Sequence, residues 1–207
     1  MAIASLSKFT VPLASDQSAS AQGMLMPKLK YRYRVMFENF GTSTPTTELT
    51  KQVAEAARPN VQFDNQEIWT YNSRINIANR PKWQPLSIKL RDDVTGAVSK
   101  LVGEQMQKQF DFYEQSSAAA GGDYKFLLRI EMLDGGNGAN TPTVLETWEC
   151  YGCYVTAANY NTLSYSDQTL LTIDLTIQPD NCIQTSGGPV APTSRLAGTN
   201  ATGAGSR

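Results

Sequence analysis

The pattern that most narrows the fold of this chain is an alternation of apolar and polar residues at every second position, which returns along much of the sequence. Over residues 30–37, Tyr31, Tyr33, Val35 and Phe37 fall on one side of an extended strand, with Lys30, Arg32 and Arg34 on the other. Leu86, Ile88 and Leu90 alternate with Ser87, Lys89 and Arg91. Phe126, Leu128, Ile130 and Met132 alternate with Lys125, Arg129 and Glu131, and Leu171, Ile173, Leu175 and Ile177 with Thr172, Asp174 and Thr176. Residues 144–156 read as a further strand. Such one-sided strands belong to antiparallel sheets with one face on a core and the other in water. A helical period stands out once. Val98, Leu101, Val102, Met106, Phe110 and Tyr113 form an apolar stripe at three- and four-residue spacing, which predicts a helix over about 94–119. Asp92 and Asp93 precede it as caps, and Gly121-Gly122 stops it. The expected fold is mainly β with one α-helix, arranged as a β-sandwich or barrel.

The stretch between the first and second of these strands is harder to read. Over residues 48–58, Val53, Glu55 and Ala57 alternate with Gln52, Ala54 and Ala56, with little hydrophobic contrast and with alanines that also suit a helix. A strand with two mild faces is what a wall beside an aqueous channel needs. Pro59-Asn60 ends it. Asp64-Asn65 then reads as a tight turn and residues 67–78 as one long strand. That strand sets Trp69 and Tyr71 on the side of Ile75 and Ile77 and turns Arg74 and Asn76 the other way. Arg80-Pro81 closes it. Residues 1–29 form an extended arm, either docked on a neighbour through 9–13 or mobile. Residues 30–180 form the β domain. Residues 181–207, rich in Gly, Ser, Thr and Ala, bury too little surface to offset ordering entropy and read as a flexible tail.

Composition removes several classes of function. Eighteen Lys and Arg stand against nineteen Asp and Glu, so there is no surplus of positive charge for gripping nucleic acid. Histidine is absent, which excludes serine–histidine and cysteine–histidine hydrolases of the usual kind. No run suits a signal peptide or a membrane helix, so a soluble protein made in a reducing cytosol, without membrane insertion, is expected. Cys150 and Cys153 have the spacing of a zinc knuckle, but only Cys182 and carboxylates remain as further donors. They read as reduced, mostly buried thiols. Their placement depends on Gly152, because residues three apart on a strand face opposite sides unless a bulge intervenes. Gly135-Gly136-Asn137-Gly138 lacks the Lys-Ser/Thr ending of a phosphate loop and lies between strands. No cluster joins an acid, a base and a nucleophile. No catalytic, cofactor or metal residue is assigned.

Residues 72–79, Asn-Ser-Arg-Ile-Asn-Ile-Ala-Asn, are followed by Trp83 and then by Leu-Ser-Ile-Lys-Leu-Arg-Asp-Asp over 86–93. This resembles the tail tube proteins of contractile-tailed bacteriophages, related to the tube proteins of contractile injection systems. There a similar Arg-Lys/Arg-Ile-Asn-Val-Ala stretch precedes an aromatic residue, a strand rich in branched residues and an acidic helix start. Residues 54–59 and the closing strand 170–177 are similar in character to that family's hairpin and last strand. The likeness covers roughly residues 30–180.

The resemblance implies a structural protomer, six copies of which join their strands into one ring-shaped continuous β-barrel; stacked hexameric rings then conduct DNA during ejection. A barrel of roughly 24 strands about 4.8 Å apart has a diameter on the order of 40 Å, wide enough for a duplex. It implies a lumen lined by Gln52, Ala54, Ala56, Arg74 and Asn76, with Val53, Ile75 and Ile77 behind them. Phe63, Ile68 and Trp69, at a hairpin tip, would touch the adjacent ring. Implied partners are a sheath protein, a baseplate, a tape-measure protein and double-stranded DNA passing without sequence preference. The implied location is the virion tail, after assembly in the host cytoplasm. Two other readings fit the sequence: a tube protein of a bacterial injection or secretion machine, and a monomeric β-sandwich binding module using exposed Trp69, Tyr71, Trp83 or Tyr160.

Overall fold

The alternating segments become strands of one antiparallel sheet in the computed structural model, which describes residues 28–42, 46–118, 121–134 and 142–186. The chain divides into two units, residues 1–32 and 33–207. In the first, the Arg32 amide donates to the Leu29 carbonyl at 3.2 Å, and the Arg32 guanidinium lies over the Tyr31 ring. The expected arm otherwise lies outside the described residues, as do the 135–138 loop and residues 187–207 of the expected tail.

The second unit runs β1 (Tyr33–Glu38), α1 (Thr47–Gln52), β2 (Val53–Ala56), β3 (Val61–Thr70), β4 (Ser73–Trp83), β5 (Leu86–Arg91) and α2 (Ala97–Gln109). It continues with β6 (Phe110–Asp111), β7 (Ser116–Ser117), α3 (Gly121–Tyr124), β8 (Phe126–Leu133), β9 (Val144–Asn159), β10 (Thr172–Gln178) and β11 (Asn181–Ser186). The main sheet has the order β1-β8-β9-β10-β5-β2, with β11 also on β9. The mainly β expectation holds, with α2 as the principal helix and two short helices beside it.

β9 belongs to both halves of this sheet. Its first part pairs with β8 and β11, and its last residues pair with β10. Gly152 makes the change of direction, at φ 65°. Phe126 pairs with Cys153 and Leu128 with Cys150, so β9 carries one extra residue at this point. The bulge turns both Cys150 and Cys153 inward, and Cys182 of β11 stands directly opposite Cys150. A side chain at Gly152 would collide with the Asp180 carboxylate, which Lys125 holds in an ion pair. All three thiols are reduced and buried. Burial pushes the Cys153 thiol up to about 12, and hydrogen bonding with Cys182 raises that of Cys150.

Most of the core follows the alternation: Val35 and Phe37, Leu86, Ile88 and Leu90, Phe126, Leu128 and Ile130, and Ile173, Leu175 and Ile177 are buried, whereas Tyr31 and Leu171 are exposed and Glu131 of the polar face is buried. Val98, Leu101 and Val102 of α2 close it. The helix is shorter than the expected 94–119 at both ends. At the start, Gly96 adopts a left-handed φ of 68°, and Asp93 accepts from the Val98 amide at 3.2 Å and from the Thr95 hydroxyl. At the end, Asp111 accepts from the amides of Tyr113 and Glu114, at 2.9 and 3.2 Å, and draws the chain into the β6–β7 turn. Phe110 and Tyr113 therefore leave the apolar stripe and face solvent.

Two glutamines anchor the helix. Buried Gln105 accepts from the Gly41 amide and donates to the Tyr124 carbonyl, while Gln109 accepts from the Val155 amide and donates to its carbonyl, both at 2.9 Å. β11 also corrects the expected tail, because its pairing along residues 146–151 of β9 supplies backbone hydrogen bonds that composition does not reveal.

Candidate assembly interface

The connection from β2 to β5 is a two-stranded hairpin, β3 and β4, paired to each other and, among the described residues, to no other strand. Almost every residue in it is exposed. At about 3.4 Å per residue, its ten-residue strand reaches roughly 34 Å. A lone two-stranded ribbon is marginal in water. This one nevertheless carries Val61, Phe63, Ile68, Trp69, Tyr71, Ile75 and Ile77 as exposed large apolar side chains. Surface of this kind marks a site of association.

The turn lies at Tyr71-Asn72, not at the expected Asp64-Asn65. Tyr71 sits in the left-handed region at φ 53° and is 97% exposed. That conformation costs an ordinary residue about 1–2 kcal/mol. Moving the turn changes which residues share a face. Directly opposed residues of an antiparallel pair point the same way. Trp69 opposes Arg74, Glu67 opposes Asn76 and Ile68 opposes Ile75. Trp69 therefore joins Arg74 and Asn76, against the expectation that it sides with Ile75 and Ile77. The Arg74 guanidinium lies 5.5 Å from the Trp69 ring centre and 3.4 Å from the Glu67 carboxylate, while Asn65 donates to Asn76 at 3.3 Å. The other face carries Ile68, Ile75 and Ile77 beside Gln66.

β4 continues through Arg80-Pro81, expected as its end, as far as Trp83. An extra residue on β4 between the Asn65–Ala78 and Phe63–Pro81 pairs absorbs the proline without breaking the ladder. Phe63 thus lies well away from the turn and 56% exposed, on the same face as Val61, Pro81 and Trp83. Ile68 and Trp69 lie next to the tip, on opposite faces. The base of the ribbon is fixed to the body: Trp83 Nε1 donates to Asn181 at 3.2 Å and Gln178 Nε2 to the Trp83 carbonyl at 3.0 Å.

The other expected lumen residues do not line up with Arg74 and Asn76. Gln52 ends helix α1 instead of lying on a strand. A bulge between Val53 and Glu55 shifts the register of β2 and leaves Ala54 as the extra residue, with its carbonyl accepting the Tyr33 hydroxyl at 2.8 Å. Val53 and Ala56 both pack on the core, opposite buried Leu90 and Ile88. Simple alternation assigned Val53 and Ala56 to different faces, and the bulge overturns it.

A second exposed region lies at the other end of β5 and β10. Residues 160–171 connect β9 to β10 and leave Leu163, Tyr165 and Leu170 in solvent. Asn161, left-handed at φ 56°, ties this loop down by donating to the Thr172 carbonyl at 2.8 Å and to Asp174 Oδ2 at 3.2 Å. A cleft of about 590 Å³ lies beneath it, lined by Lys89, Asp167, Leu170 and Asp174 among others. Nothing in the sequence pattern marked it, because its walls come from a loop without periodicity. Among the described residues no acid and thiol cluster could hold a metal, and no helix is long and apolar enough to cross a membrane.

No protein-family model matches the sequence, and no curated protein matches it. Solved structures match the fold. The anti-feeding prophage cap, which terminates that particle's tube, is 14% identical over 86% of this chain and 100% of its own, with a TM-score of 0.56. A chain from the extended sheath–tube complex of an extracellular contractile injection system is 16% identical over 83% and 99%, with a TM-score of 0.54. The sheath/tube terminator of an extracellular contractile injection system is 14% identical over 79% and 100%, with a TM-score of 0.50. At such identities the likeness is one of architecture, and this chain has the fold of the tube and tube-terminator proteins of contractile injection systems.

Proposed function

We propose that this chain is a structural, non-catalytic protomer of the tube of a contractile tail, self-assembling into stacked hexameric rings. The observation that carries this reading is the β3–β4 ribbon, a hairpin with large apolar side chains on both faces and, among the described residues, no further strand alongside. Neighbouring copies supply what it lacks, and ring closure removes the open edges of β1 and β2 as well. In the assembled barrel, Asn76 faces the lumen while Ile68, Ile75 and Ile77 turn toward packed protein. Sheath and baseplate contacts follow from the assemblies to which the similar structures belong. In a phage virion the conduit would hold a tape-measure protein and then pass DNA, a role suited to a subunit with a formal net charge of −1. A second reading, a terminator that caps a tube instead of extending it, is favoured by the likeness to two terminator structures.

Negative-stain electron microscopy of the purified protein, with light scattering for mass, tests the proposal. Sixfold rings or hollow tubes are the expected result. Rings that never lengthen at any concentration support the cap. A monomer that remains single at high concentration, and in the presence of preformed tube ends, overturns both.

A further inference from the structure

The register of β5 and β10 puts the ribbon and the cleft at opposite ends of the same two strands. Leu86 pairs with Ile177 where β4 returns to the body, and Arg91 pairs with Thr172 where the 160–171 loop begins. Six residues of strand, about 20 Å, span these two ends, and the cleft reaches back along them to Lys89 and Asp174. Each end carries what the other lacks. The ribbon tip offers Tyr71, held exposed in a strained conformation, and Arg74, whose bond to Glu67 is a solvent-exposed pair worth little on its own. The cleft offers apolar walls from Leu163 and Leu170, with the carboxylates of Asp167 and Asp174 set against the one cation Lys89. Asp174 Oδ1 is buried without a hydrogen bond, with Lys89 Nζ 3.9 Å away and also 3.9 Å from Glu55. The Asp174 side chain as a whole is 35% exposed, so the carboxylate can still take a charge-assisted bond from outside the protomer.

We infer that the β3–β4 tip of one copy docks in the 160–171 cleft of a second copy, with Tyr71 between the leucines and Arg74 toward the carboxylates. The inference rests on the tube reading and names the surface that receives the ribbon. Because the two complementary surfaces differ and lie at opposite ends, the contact is heterologous, and directed from ring to ring it repeats along the tube axis. It is therefore the contact that lengthens a stack.

Thiol cross-linking tests it, since the three native cysteines are buried. Thr169 lines the cleft beside Leu170, and a Y71C/T169C double variant treated with a short bismaleimide is expected to give a ladder of covalent dimers, trimers and higher species. A mixture of Y71C and T169C single variants is expected to stop at dimers. Circular dichroism checks that each variant folds, and R74E is expected to raise the concentration at which stacks appear at least tenfold. Rings or tubes that form without any ladder overturn the docking and leave the tube reading standing. A double-variant ladder that ends at dimers overturns the head-to-tail geometry. Absence of both ladder and assembly overturns the docking and the tube reading together.

Discussion

The body of the sheet and the β3–β4 ribbon are built from the same kind of residue and meet opposite fates. In β5 and β10, Leu86, Ile88, Leu90, Ile173, Leu175 and Ile177 point one way and are buried by their own chain. In the ribbon, Ile68, Ile75 and Ile77 share a face as regularly, yet solvent covers them. Strand propensity is comparable. The difference lies in whether a second layer exists within the protomer. A sheet face that α2 and the opposing strands cover stabilises the monomer, whereas a face that nothing covers stores its burial energy for an assembly.

Truncation on either side should break this comparison most sharply if the roles are wrong. Leu128→Ala removes a fully buried side chain between β1 and β9 and is expected to cost the isolated protomer about 2–5 kcal/mol. Urea unfolding of the protomer at low concentration measures it, and a loss below about 1 kcal/mol would show that this sheet is not the core. Trp69→Ala should do the reverse. Protomer stability should stay within about 0.5 kcal/mol, while association weakens by about 2 kcal/mol or more, roughly thirtyfold in the concentration at which assemblies appear. Light scattering across a dilution series reads that shift. If unfolding and association respond equally, the ribbon is part of the monomer's own stability.

Gly152→Ala probes the join between the two halves of the sheet. The positive φ alone is expected to cost about 1–2 kcal/mol, and the Asp180 carboxylate must also move. Urea unfolding is again the measurement. A neutral result would mean that β9 can straighten and carry Cys150 and Cys153 on opposite faces. Thiol labelling sharpens the point. With Cys153 pushed up to about 12 and all three thiols buried, native protein at pH 8 should take up no thiol reagent until denaturant is added. In Gly152→Ala, labelling of Cys153 in the native state would reveal its rotation outward.

What the sequence disclosed follows from this contrast. Strands whose alternation continued without interruption, β5, β8 and β10, were legible together with their inward residues, because burial on one face imposes the pattern. Places where one residue breaks the count were not. The bulge at Ala54 placed Val53 and Ala56 on one face, the bulge in β4 carried the strand past Pro81, and the turn at Tyr71-Asn72 moved Trp69 beside Arg74. Asp64-Asn65 has the better turn composition, but the long-range pairing of Val61 with Trp83 determines where the chain must reverse. Helix α2 was overextended for a related reason, since Phe110 and Tyr113 keep helical spacing while Asp111 takes the local amides for itself. The cleft left no signal because loop walls have no period.

The smallest expected effect concerns the start of α2, where Asp93 and not the apolar stripe sets the boundary. Its carboxyl is held below its ordinary value of 3.8, first by the Thr95 hydroxyl and then by the Val98 amide. A carboxyl with a lowered value in the fold binds its proton more readily in the unfolded chain, so stability rises with pH across that window. The contribution is complete above about pH 4 and disappears as pH falls through the lowered folded value. Asp93→Asn keeps the shape of the side chain and loses this charge dependence. Its melting temperature should therefore lie below that of the unsubstituted protein between pH 7 and pH 5, and the gap should narrow below pH 4. A gap that stays constant into acid would assign the helix start to geometry at Gly96 alone. A gap that narrows in step with protonation makes Asp93 the group that fixes where α2 begins, and with it the position of Val98 over the core.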